Sequence, residues 1–283
     1  MIKLENAMRE TPLVPESSGK QTEEMLPEEM IAAELADAVR EMQKLIKEEG
    51  ASKIISETIH NIRDASASPV GAHAALGLKH YYVLSRTQEF KDDYRVKALP
   101  KEMAEKRALD AALNYLQNRI STMGEQDVIE TLGRYYPLTQ IPEFQNDPDV
   151  KKMRGQITTQ ETLRLALLYI RDLFEGARAG ASIQILNAYH ALAQYNEFRN
   201  DPQVTQLKNS LFENGIIKQG TREIFEYSVE IKKQNLVSNS GWILNSYNTL
   251  IDLVGMAQEE ATRAQEARDV TQTPPPPPDT MSV

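Results

Sequence analysis

The sequence contains no cysteine. That excludes disulfides, thiolate zinc sites and thiol nucleophiles, and it accords with a reducing compartment. Long apolar runs are missing too. The longest, around Leu165–Ile170, is far short of the roughly 20 apolar residues a membrane-spanning helix needs. The first residues, Met1-Ile2-Lys3-Leu4-Glu5-Asn6, show no basic segment followed by an apolar one, the pattern of a secretory leader. A cytoplasmic chain without membrane insertion is the expectation. Positive charge is scarce: 32 Lys and Arg stand against 41 Asp and Glu, a formal net charge of −9. Basic clusters such as Lys151-Lys152 with Arg154, or Lys232-Lys233, are small and bordered by acid. Nucleic-acid binding needs a basic face that displaces phosphate counterions, so neither it nor binding to an anionic membrane surface is expected.

Signatures of chemistry are equally sparse. There is no His-Glu-x-x-His, no Gly-x-Ser-x-Gly and no phosphate-cradling glycine loop. Glu57 and His60 have the Glu-x-x-His spacing of carboxylate-bridged di-metal bundles. Those bundles need a second such pair, and none of His73, His80 and His190 has a Glu three residues before it. His73 and His80 share a helical face, but two ligands fall short of the three or four of a stable zinc site. The reading is therefore of no metal, no cofactor and no catalytic residue.

What is present is helix-forming sequence with an internal period. Hydrophobic residues make up 41% and charged residues 26%, the balance of a globular chain rather than a disordered one. Ala, Leu, Glu, Gln and Lys dominate over β-branched runs, which favours helix. Tyr81, Leu84, Glu89, Phe90 and Asp93 return as Tyr135, Leu138, Glu143, Phe144 and Asp147, and again as Tyr189, Leu192, Glu197, Phe198 and Asp201, at a constant step of 54. A fixed period of this order marks stacked supersecondary units. Leu109, Ala112, Leu113 and Leu116 fall on one helical face, and Ile129, Leu132, Tyr135 and Tyr136 also have helical spacing. Asp147-Pro148 and Asp201-Pro202 place a capping carboxylate before a proline suited to the first helical turn. Each unit thus reads as two long helices and a short connector. In the first unit Asp93 is followed by Tyr94, so its cap is less clearly specified.

A weaker fourth copy, Leu244-Asn245-Ser246-Tyr247, follows at a step of 58, with the extra residues assigned to the loop around Ser238–Gly241. At the front, Leu26-Pro27 echoes Leu99-Pro100, both read as openings of long helices, and an added helix is expected over about Ala51–Ala65. The predicted fold is all-α: a helical-repeat, solenoid-like stack of about four units, 26–99, 100–153, 154–209 and 210–257, within a body of 26–268. A compact multi-helix bundle is the alternative. The period exceeds the roughly 34 residues of tetratricopeptide units and the roughly 40–47 of HEAT and armadillo units, and it corresponds to neither. Residues 1–25 read as a flexible arm and 269–283 as a disordered tail, in which Pro274, Pro275, Pro276, Pro277 and Pro278 form a polyproline II segment, a spacer or a docking element.

Two tyrosine-bearing columns run through the repeats. Tyr81, Tyr135, Tyr189 and Tyr247 keep one residue type and read as a packed ladder. The next position changes: Tyr82, Tyr136, His190, Asn248. Tyr135 and Tyr189 are expected to be largely buried and Tyr136 and His190 more exposed, and the varying column is the candidate partner-binding surface. The leading functional expectation is a non-catalytic scaffold or adaptor that binds protein partners through its helical surface. The alternatives are an enzyme or small-ligand binder with an inter-helix Tyr/Asn/His pocket, and a structural component of a larger assembly. An exposed apolar groove would favour the adaptor. A cavity gathering three or more titratable groups would favour the enzyme.

Overall fold

A computed structural model describes residues 27–48, 51–176, 180–233 and 240–272. These are all-helical, with thirteen helices and no strand among the described residues. In order they are α1 (Pro27–Glu48), α2 (Ala51–Ala67), α3 (Gly71–Arg86), α4 (Tyr94–Glu105), α5 (Ala108–Ser121), α6 (Glu125–Gln140), α7 (Pro148–Ile157), α8 (Gln160–Glu175), α9 (Ala181–Ala193), α10 (Asn196–Arg199), α11 (Pro202–Glu213), α12 (Ile216–Lys233) and α13 (Ser240–Gln272). Among the described residues no helix is long and apolar enough to cross a membrane. The added front helix is α2. The arm and the Pro274–Pro278 segment lie outside the described residues.

Local chemistry accounts for the connector helices. The Asp147 carboxylate accepts from the Asp149 and Val150 amides at the start of α7, and Asp201 accepts from Gln203 at the start of α11. Asp93 caps α4 in the same way through Arg95, with Tyr94 in place of proline. Such a cap contributes about 1 kcal/mol. The turns before the three caps share one backbone pattern. The amides of Phe90, Phe144 and Phe198 donate to the carbonyls of Thr87, Ile141 and Tyr195 (2.9, 2.9 and 3.0 Å), and the amides of Asp93, Asp147 and Asp201 donate to those of the three phenylalanines, each at 2.9 Å. All three phenyl rings are buried.

Three boundaries fall elsewhere than the sequence reading placed them. Leu99-Pro100 lies inside α4 instead of opening a long helix. Proline's missing N–H interrupts only one internal bond, and α4 continues to Glu105, after which Arg107, at φ 52, turns the chain into α5. The unit divisions at 99/100, 153/154 and 209/210 likewise fall within α4, α7 and α11. The capped connector helices run past the apolar residues on which those divisions rested.

The helices form two layers. α3, α6, α9 and α13 contact one another in succession, and α13 returns to contact α3. Around them, α5 packs on α3 and α6, α8 on α6 and α9, α12 on α9 and α13, and α1 on α13 and α12, while α2 covers α3. The core is the apolar seam between the layers, including Leu78, Leu84, Leu116, Leu132, Leu138, Leu186, Leu192 and Leu244, each fully buried. Each such side chain contributes roughly 1.5–3 kcal/mol by leaving water. At Gly71 the approach of α3 to α5 requires glycine, because a Cβ there would lie 2.5 Å from the Ala111 carbonyl oxygen.

Candidate functional site: a polar cavity between four helices

The variable column faces inward. Tyr82, Tyr136, His190 and Asn248 all line one cavity of about 440 Å³ between α3, α6, α9 and α13. Tyr82 and Asn248 are buried, at 9% and 4% exposure, whereas Tyr136 and His190 are half-buried. Tyr135 and Tyr189 are buried and Tyr136 and His190 more exposed, as expected, while α13 packs back onto α3 and covers Tyr82 and Asn248. Asn248 donates to the Thr87 hydroxyl at 3.0 Å across that contact.

Neighbouring turns on the same helices complete the lining. One turn before the column stand Lys79, Gly133, Asn187 and Asn245, and one turn after it stand Arg86, Gln194 and Asp252. Side chains at i, i+3 and i+7 share a helical face, so these positions follow from the column. The repeat spacing that brings Tyr82 to Tyr136 and His190 also brings Lys79 to Gly133 and Asn187. The sequence reading followed only the tyrosine-bearing register and missed them.

The layer after the column is a closed electrostatic cluster. Both Arg86 guanidinium nitrogens donate to Asp252, one at 3.1 Å and the other in a shorter contact, and Arg86 also donates to the Tyr82 hydroxyl at 2.8 Å. The Arg86 guanidinium lies 5.0 Å from the centre of the Tyr82 ring. His190 Nε2 is 3.0 Å from the same Asp252 carboxylate, with the Gln194 amide 3.1 Å from that nitrogen. Burial by itself would raise the Asp252 pKa. The hydrogen bonds from His190 and Arg86 outweigh it and hold the carboxyl at about 2. Burial pushes the Tyr82 phenol well above its usual range, so it stays protonated as a donor or acceptor.

Across the cavity Arg134 pairs with Glu130 at 2.5 Å and donates to the Ala72 carbonyl at 2.8 Å. Lys79 differs from these cations. Its side chain makes no ion pair or hydrogen bond to another described residue. Burial, and then the nearby Arg134, lower its pKa to about 8, with Glu130 partly opposing. Its ammonium lies 3.8 Å from where a Cβ on Gly133 would stand, so glycine keeps the space beside it open.

The remaining histidines lie elsewhere. His60 is exposed, 3.3 Å from Asp64, and His73 is 3.0 Å from the Ser68 hydroxyl. His80 is wedged against Gly241 of α13. No cluster of three or more metal-ligating side chains occurs among the described residues.

The fold and site thus define an all-α protein with a central polar cavity. In comparison with known proteins, the chain matches no family model, no curated protein and no solved structure.

Proposed function

We propose that the helical body is built from about four related units and that the cavity between their inner helices binds a small polar molecule. One observation carries this reading: five charged side chains, Lys79, Arg86, Glu130, Arg134 and Asp252, and the His190 imidazole converge on one cavity from all four inner helices. Its volume of about 440 Å³ falls within the roughly 300–1,000 Å³ of small-molecule sites. The recurrence of the capped turns after Phe90, Phe144 and Phe198 supports the repeat. The scaffold reading rested on elimination and on the extended surface of stacked repeats, with the variable column as its candidate contact face. The enclosure of Tyr82 and Asn248 moves the weight to the ligand-binding alternative.

Thermal-shift screening of a metabolite-sized panel tests the reading, with wild type and Gly133→Leu run side by side. The leucine side chain enters the space beside Lys79. Compounds that raise the wild-type Tm should lose their effect on the variant. Equal shifts for both proteins, or none from any compound, would refute cavity binding.

A further inference from the structure

We infer that the cavity takes a small organic acid, its carboxylate seated among Lys79, Asn187 and Asn245. This rests on the cavity-binding reading above and names the ligand class. Charge balance comes first. Three cations line the cavity, and two are committed: Arg86 to Asp252, and Arg134 to Glu130. Lys79 alone has no acidic partner among the described residues. Asn187 and Asn245, at equivalent positions on α9 and α13, likewise make no side-chain hydrogen bond to a described residue, and both face the cavity. A half-buried cation and two carboxamides thus direct unused hydrogen-bonding capacity into one layer, and Gly133 leaves the fourth side open.

The chemistry selects a carboxylate over a phosphate. Phosphate recognition favours forked guanidinium contacts, and both guanidiniums here already hold carboxylates. One ammonium balances one negative charge, and each carboxamide can donate to a carboxylate oxygen. The depressed pKa of Lys79 agrees with an ammonium that lacks a counter-charge. One turn earlier Leu76, Ile129 and Trp242 give the lining an apolar wall, beside Gln126 and the Glu130 that Arg134 holds. The ligand therefore has an apolar or aromatic body beside its carboxylate.

Titration calorimetry on the full chain tests this with three probes: naphthalene-2-carboxylate, its neutral amide 2-naphthamide, and inorganic phosphate. Wild type should bind the carboxylate about tenfold or more tightly than the amide, the scale of one charge-assisted contact. Lys79→Met should abolish that preference while leaving amide affinity nearly unchanged. Asn245→Asp should do the same by giving Lys79 an internal counter-charge, and this near-isosteric change decides the matter if Lys79→Met does not fold. Equal binding of acid and amide by wild type would overturn the proposal and leave cavity binding standing. Binding of phosphate alone would overturn the carboxylate assignment. Binding of none of the three would overturn the proposal, and the panel screen would then decide the cavity reading by itself.

Discussion

Two columns of side chains stand one residue apart on the inner helices, and they behave differently. Tyr81, Tyr135, Tyr189 and Tyr247 never change type. Tyr82, Tyr136, His190 and Asn248 run from phenol to imidazole to amide. One residue is about 100° of helix rotation, enough to move a side chain from the seam between layers to the cavity. Exposure does not separate them at either end, where Tyr81 is 7% and Tyr247 3% exposed against 9% for Tyr82 and 4% for Asn248, although in the middle Tyr135 and Tyr189 are buried and Tyr136 and His190 half-buried. Their neighbours do. The Tyr135 hydroxyl donates to the Val150 carbonyl of α7 at 2.7 Å, tying an inner helix to its own connector. The Tyr136 ring instead meets Tyr82 and Tyr195 edge-on at 6.0 and 5.5 Å. The Tyr135 position serves a packing contact inside the helical body, whereas positions facing a shared cavity can each take a different polar group.

The largest expected effect falls on the packed column. Tyr135 is 0% exposed, and Tyr135→Ala should cost about 3–5 kcal/mol by cavity formation and loss of its buried hydrogen bond. His190→Ala, in the other column, should cost about 1 kcal/mol because Asp252 keeps Arg86. Urea unfolding of the pair measures the difference, and equal costs would erase the distinction between the columns.

Next comes the cluster beside the variable column. Asp252→Asn should destabilise by about 2 kcal/mol at pH 7, since it removes the charge that Arg86 and His190 share. Its depressed pKa gives stability that is complete above about pH 4 and lost only as pH falls through about 2. Chemical denaturation at pH 7 and pH 3 should therefore show the gap between wild type and variant narrowing at the lower pH. A constant gap would mean that the carboxylate charge contributes nothing.

His80 sharpens the comparison at milder pH. Burial, then Lys79 and Arg134, lower its pKa to about 4. The folded protein holds the ring neutral, while the unfolded chain takes up a proton below about pH 6.5. Stability should accordingly be complete above pH 6.5 and fall toward pH 4, by about 1–2 kcal/mol between pH 7 and 5. In His80→Leu that loss should shrink, and an unaltered slope would assign it to other groups.

The smallest effect is a gain. Gly133 sits inside α6, and a Cβ there meets only the Lys79 ammonium at 3.8 Å. Gly133→Ala should raise stability by about 0.5–1 kcal/mol through helix propensity. Gly71→Ala should lower it, because backbone blocks the new methyl. Melting temperatures that move in the same direction for both variants would count against the cavity's open side.

Much of the helical body was legible locally. The Asp147 and Asp201 caps, the α2 segment and the apolar faces of α5 and α6 follow from neighbours within one or two turns, because capping and helical periodicity act over that range. The candidate site was half legible. Tyr82, Tyr136, His190 and Asn248 were singled out by their common position, and Lys79, Asn187 and Asn245 could have been found one turn away by the same spacing. Their meaning was not, because spacing along a helix does not tell an outward face from one that meets three other helices.

The sequence by itself determined that this protein is helical, where a few of its helices begin, such as α2, α7 and α11, and which faces of several are apolar. Only the tertiary structure decided that α13 returns to α3, which sets Arg86 against Asp252 across 166 positions and turns a presumed surface into the wall of a cavity. The physical reason is additive: each junction between helices contributes a small rotation, and whether those rotations bring the last inner helix back to the first depends on all of the packing contacts together.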